Sequence, residues 1–294
     1  MVRHSEGEHF VSSRHSGWNR PSPVKIKKRR PFLKFILLLL VVFSAIYGYI
    51  FLLPILTQQP AIEKTTDGIN QIIDAHPDYE IGVSLVDIKN SHTVNLGQQS
   101  PFTAASTTKL LTAALTMQEV EKGTFALDDE INDHPISWHL QQMVNQSNND
   151  SWKALNDKLE KKNIEKYAKS IGLNSYNSKE NLIAPNDMAT LLKKLYGNEL
   201  MNAENTKTIL GFMTNTNEDS FIPAVADTHS IKVYHKYGWF ESNIHDVAIL
   251  TLDESAWAIA IYTHPKNNEN NSTTSRDIIH QITEVIVGQL NSKT

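Results

Sequence analysis

Nineteen consecutive residues, Phe35 to Leu53, carry no charge, and the apolar run continues past Pro54 to Leu56. At about 1.5 Å rise per residue, roughly 20 residues cross a hydrocarbon core of ~30 Å. A helix packed on the core of a water-exposed domain keeps a polar face, and this run has none. A transmembrane helix over residues 32–56 is therefore expected. The basic cluster Lys25–Arg30 immediately precedes it. Positive flanks stay on the cytoplasmic side, which predicts a single-pass protein of the cell membrane with its N-terminus inside and residues 57–294 outside. A cleaved signal peptide would carry a shorter apolar core ending in a small-x-small site. "FSAIYG" fits that poorly, so the segment is expected to be retained. Residues 1–31 read as a cytoplasmic basic tail with the polar composition of a disordered segment.

Charge follows the same division. Residues 1–34 hold nine Lys or Arg and two acids, which leaves 19 basic and 30 acidic residues in the remainder. A body this acidic argues against nucleic acid as its partner. The absence of cysteine excludes a disulfide framework, thiolate metal sites and a cysteine nucleophile.

Residues 57–68 read as a tether into a helix striped by Ile62, Ile69, Ile72 and Ile73. "YEIGVSLVDIKN" and "HTVNLGQ" alternate around a turn at Lys89–Ser91 and predict a β-hairpin. A helix is expected over 106–122, ending near Gly123, followed by a helical block over 124–212. "SIKVYHKYGWF", "HDVAILTLD" and "AWAIAIYTH" read as three strands, and a helix closes the chain at 273–291. Strands at both ends with helices between predict an α/β (α+β) fold: an antiparallel sheet flanked by N- and C-terminal helices, with an inserted all-α subdomain.

The chemistry centres on "FTAASTTKLLTAAL", residues 102–115. Serine at a helix start is a common cap. The same helix end also favours a developing oxyanion. Lys109 lies one turn beyond Ser106 on the same face, within reach of its Oγ, and serves as a base if its pKa falls below the usual value of about 10.4. Two further stretches stand in order downstream: Ser147-Asn148-Asn149, and Lys236-Tyr237-Gly238 on a predicted strand.

S-x-x-K, S-x-N and K-x-G in this order resemble the serine β-lactamase and penicillin-binding protein superfamily, and most closely its class A β-lactamase-like branch. The resemblance spans roughly residues 62–291. It implies a β-lactamase/transpeptidase-like fold and a serine hydrolase working through an acyl-enzyme. Ser106 would be the acylated nucleophile and Lys109 the base or proton relay. Ser147 would pass a proton to the leaving nitrogen. Asn149, Lys236 and Gly238 would bind substrate, with Lys236 supplying charge near a substrate carboxylate. The backbone N–H groups of Ser106 and Trp239 would form the oxyanion hole. The partners implied are a β-lactam or a peptidoglycan-derived peptide, with no cofactor and no metal.

Three departures from the family pattern stand out. The E-x-x-L-N loop that carries the water-activating glutamate is missing, and between "IGL" and "APNDMA" the only acid is Glu180. Glu180 reads as a solvated loop carboxylate, which predicts ready acylation and slow deacylation. Asn148 replaces the usual Asp. Tyr237 replaces Thr or Ser, which either reshapes substrate preference or points into the sheet. A D,D-peptidase, or a non-catalytic protein that binds peptidoglycan or a partner, remains a second reading. The twelve histidines contain no H-E-x-x-H or H-x-H-x-D pattern. His134, His139, His229, His235, His245 and His264 read as satisfied surface or turn residues. Strand alternation turns His235 away from the face of Lys236. Trp138 and Trp152 read as packing for the helical block.

Overall fold

The computed structural model describes residues 30–269 and 271–291. The basic head over residues 1–29 lies outside them. The chain divides into two compact units, 1–56 and 57–294.

Helix α1 (Arg30–Tyr47) passes into a wider five-residue π turn, Gly48–Leu52, and then into α2 (Leu53–Ala75), most of which belongs to the second unit. The apolar run is thus divided between two α-helices, and among the described residues no helix is long and apolar enough to cross a membrane. The residues expected to be a tether are helical, because α2 begins at Leu53. Of the predicted stripe, Ile69 is fully buried and Ile72 and Ile73 pack beside it.

After α2 the second unit continues with the predicted hairpin, β1 (Tyr79–Asp87) and β2 (His92–Gly97), paired antiparallel. Short β3 (Phe102–Thr103) leads into α3 (Lys109–Glu121). Then come β4 (Glu130–Ile131), β5 (His134–Pro135), α4 (Ile136–Val144), α5 (Asn149–Leu159) and α6 (Lys161–Ser170). The block ends with β6 (Leu182–Ile183), α7 (Pro185–Tyr196), α8 (Ala203–Phe212) and α9 (Ile222–Ala226). The chain returns as β7 (Lys232–Phe240), β8 (Asn243–Leu252) and β9 (Ser255–Pro265), and closes with α10 (Ser272–Asn291). The inserted block is not purely helical, since β4 pairs with β5 and β6 reaches back to pair with β3.

The main sheet has the order β2-β1-β9-β8-β7, antiparallel throughout. Its central strands are covered on both faces, so nearly every residue of β8 and β9 is buried. Alternation sends Val247, Ile249, Ala258, Ala260 and Tyr262 toward the helical block. Ala248, Leu250, Ile259 and Ile261 face the opposite way, onto Ile69, Ile278, Ile279, Ile282 and Ile286. The antiparallel sheet flanked by N- and C-terminal helices expected from the sequence is the one observed. Strand β7 is left at the sheet edge, where its outer side is open to the helical block.

Candidate active site

The nucleophile candidate stands just ahead of α3 rather than at its cap. The helix begins at Lys109, and residues 105–108 form a tight turn, with Lys109 N–H bonding the Ser106 carbonyl at 3.3 Å. That spacing closes a 3₁₀-like turn and brings the two side chains together. Ser106 Oγ accepts from Lys109 Nζ at 2.9 Å. The turn is strained: Ala105, directly before the serine, holds a left-handed φ of 51°, a conformation that costs about 1–3 kcal/mol for a non-glycine residue.

Lys109 is fully buried and gathers the predicted residues around one nitrogen. Besides Ser106 Oγ, its Nζ donates to Ser147 O at 2.6 Å, Ser147 Oγ at 3.2 Å and Asn149 Oδ1 at 2.8 Å. The Trp152 ring centroid lies 5.4 Å from the same nitrogen, and its indole N–H donates to Thr112 on α3. Trp152 is therefore part of the site wall as well as packing. Burial lowers the Lys109 pKa to about 8, because charge is disfavoured away from water. Ser147 itself holds a left-handed φ of 55° at the junction of α4 and α5. Asn148 caps α5, its side chain accepting from Ser151 N–H at 2.8 Å. An uncharged residue at this position thus has a local structural use.

On the facing side, Gly238 explains how close β7 approaches. A Cβ there would sit 2.9 Å from Thr107 Cγ2 and 3.0 Å from the Ala104 carbonyl. The strand therefore runs in contact with the serine turn. His235 N–H points off the sheet edge to Met213 O at 2.8 Å. Strand alternation sends the Tyr237 and Trp239 N–H groups out of the same edge. Ser106 and Trp239, the expected oxyanion pair, thus lie on adjoining segments. Trp239 and Phe240 are exposed side chains at the end of this strand.

Lys236 is fully buried, and its Nζ donates to the Tyr237 carbonyl at 3.0 Å. Its pKa falls well below the usual value, first through burial and then through the nearby Lys109 charge. His235 faces the other way, as alternation requires. It is not a surface residue: it is buried between two carboxylates, Nδ1 to Asp246 at 3.0 Å and Nε2 to Asp219 at 2.9 Å. Burial opposes its charge, but the two acids outweigh that and raise its pKa to about 9.

His139 and His245 are buried as well, against the surface or turn positions expected for them. His139 bonds Ser151 Oγ and the Ile131 carbonyl. His245 accepts from Thr263 N–H at 3.2 Å and so donates through Nε2 to Thr103 O at 2.8 Å. Burial pushes it down to about 4, leaving a neutral ring. Among the described residues no group of acids and histidines could hold a metal ion.

Sequence reasoning missed the parts that brace the serine turn. Asn181 donates to Ala105 O at 2.8 Å and accepts from Thr108 Oγ1 at 2.7 Å, while its own carbonyl takes the Ala104 N–H. Tyr262 on β9 bonds Thr107 Oγ1 at 2.8 Å. Only the left-handed tendency of Asn within "KENL" hints at the first, and nothing local hints at the second. Glu180, next to Asn181, is exposed on a turn, its N–H held by Asn177 Oδ1 at 3.2 Å.

Comparison with known proteins bears on the fold and the family. No curated protein matches the chain by sequence. Among solved structures, a β-lactamase from Chitinophaga pinensis shares 20% identity at a TM-score of 0.71, covering 77% of this chain and 99% of its own. PBP-A shares 17% identity at 0.71, covering 78% and 96%. A β-lactamase from Desulfarculus baarsii shares 17% at 0.70, covering 77% and 97%. Identities this low establish the fold. The family pattern of the Beta-lactamase enzyme family matches residues 64–290, and the chain belongs to that family.

Proposed function

We propose that the protein is a membrane-anchored serine acyl-enzyme that attacks β-lactam amides through Ser106 and releases the acyl group slowly. One observation carries the reading: a single buried amine, Lys109 Nζ, is bonded at once to Ser106 Oγ, Ser147 and Asn149. With a pKa near 8 it has an accessible neutral form. That form accepts the Ser106 proton as Oγ bonds to the substrate carbonyl carbon. The oxyanion so formed is met by the Ser106 and Trp239 N–H groups. As the tetrahedral centre collapses, the C–N bond breaks and the proton passes by Lys109 and Ser147 to the departing nitrogen. Lys109 holds Asn149 Oδ1, which leaves the carboxamide NH₂ for a substrate carbonyl.

Slow release rests on what surrounds Lys109. Its bonded partners are two serines and an asparagine, and the acid of the nearby loop, Glu180, is exposed on its turn. The same observation favours a second reading, a penicillin-binding D,D-peptidase acting on peptidoglycan peptides. PBP-A, similar in fold, has been captured in a mutant form as an acyl-enzyme complex with penicillin G. Anchoring is supported by α1, where Phe35–Phe43 are all exposed apolar residues, a surface that water disfavours and lipid accepts. The orientation follows from the basic cluster before it.

Intact-mass spectrometry of the whole chain in detergent tests the chemistry. Benzylpenicillin is expected to leave a persistent adduct on the wild type and none on Ser106→Ala. No adduct and no hydrolysis would sink the acyl-enzyme reading. Rapid hydrolysis lost in Glu180→Gln would instead make that loop acid the deacylation base. Release of D-alanine from a peptide ending in D-Ala-D-Ala would select the peptidase.

A further inference from the structure

Tyr237 stands where the cleft would be expected to read charge. Lys236 is the cation of that wall, fully buried, and among the described residues no carboxylate comes within ion-pair distance of its Nζ. Asp246 acts on it from β8, but the oxygens of Asp246 are bound to His235, Ile222 N–H and Val247 N–H. The contacts of this nitrogen come from its own neighbour instead. It donates to the Tyr237 carbonyl at 3.0 Å, and the Tyr237 ring centroid lies 3.9 Å from it. A ring face this close supplies the partial negative charge that an anion would otherwise bring. The ring is half-buried and packs beside the cluster containing Phe221 and Ile222, so it is held in place. A carboxylate reaching for Lys236 would have to displace that ring, and so gains its ion pair less the contact it breaks.

We propose that Tyr237 determines specificity by occupying the carboxylate position over Lys236, so that the cleft selects acyl donors whose trailing side is neutral, an ester or amide, over those presenting a free carboxylate. This rests on the acyl-enzyme reading above and names its substrate class.

The test compares benzylpenicillin with its methyl ester on the whole chain in detergent, following the rate of Ser106 labelling by intact mass. The wild type is expected to label with the ester at least as fast as with the acid. Tyr237→Phe, which keeps the ring, should retain that preference. Tyr237→Thr should shift the ratio toward the acid by about tenfold or more, the scale set by opening a buried charge to its counter-ion. A wild type that prefers the acid, or a ratio that Tyr237→Thr leaves unchanged, overturns the proposal. The wild-type ratio decides alone if Tyr237→Thr does not fold. If neither compound labels the wild type, the acyl-enzyme reading has failed, and calorimetric binding of both compounds to Ser106→Ala, with and without Tyr237→Thr, decides the inference. The same reversal of preference supports it. Unchanged preference, or no binding of either compound, overturns it.

Discussion

Lys109 and His235 are both buried bases, and their pKa values move in opposite directions for a physical reason. Lys109 is bonded to neutral oxygens, so burial dominates and lowers it to about 8. His235 lies between Asp219 and Asp246, which overcome burial and raise it to about 9. Two pH dependences follow. The neutral Lys109 amine becomes roughly tenfold scarcer with each pH unit below 8, so the acylation rate should rise with pH and level off above about 8. Rapid-mixing labelling with a chromogenic β-lactam between pH 6 and 10 measures this, and a flat profile would remove Lys109 as the base. For His235 the folded value lies above the unfolded value of about 6.5. Its stabilisation is therefore complete below that pH and is lost as pH rises through about 9. Urea unfolding should show stability falling between pH 7 and 10, with a flatter profile in His235→Gln. That variant also leaves Asp246 buried without its counter-charge, which should lower stability by about 3–5 kcal/mol at pH 7. The serine–lysine pair was legible in the sequence because it is local, two side chains one turn apart. His235 was not, because its acids come from β8 and from the loop before α9.

At the scale of elements, three segments converge on the serine turn. Strand β7 presses on it at Gly238, β6 and Asn181 hold it from the loop before α7, and β9 reaches it through Tyr262. Gly238→Ala places a methyl group against Thr107 and Ala104 and must push strand or turn aside. Labelling by penicillin should slow by about tenfold or more, since displacements on the order of 1 Å at a reacting centre cost that much. Asn181→Ala removes two side-chain hydrogen bonds from the turn, one of them leaving the Ala105 carbonyl without its donor. A loss of about 1–3 kcal/mol by urea unfolding is expected, together with slower acylation. Unchanged labelling in both variants would show that the turn holds its shape alone. The hairpin, the three closing strands and the last helix were readable from their periodicities. The α3 start at Lys109 was not, because a serine that looks like a cap is engaged by lysine rather than by backbone N–H. Nor were β3–β6 and β4–β5, which are too short to show alternation and exist only through their partners.

For the whole molecule, the division at residue 56 predicts two separable behaviours. Residues 57–294 produced alone should melt at the same temperature as in the full chain by circular dichroism. The full chain should float with vesicles carrying anionic lipid while residues 57–294 remain behind. Flotation of both, or of neither, would remove α1 as the anchor. By itself the sequence determined the longer elements and their order, the apolar head and the serine–lysine pair, because periodicity, charge runs and an i, i+3 spacing are properties of neighbours in the chain. Only the tertiary structure decided the burial of Lys109 and Lys236, the seat of Tyr237 over Lys236, the two carboxylates around His235 and the exposure of Glu180. Each of these depends on dielectric and on partners brought from distant segments. On the acyl-enzyme reading proposed above, the motif supplies the reacting groups, while the packing around them sets their protonation.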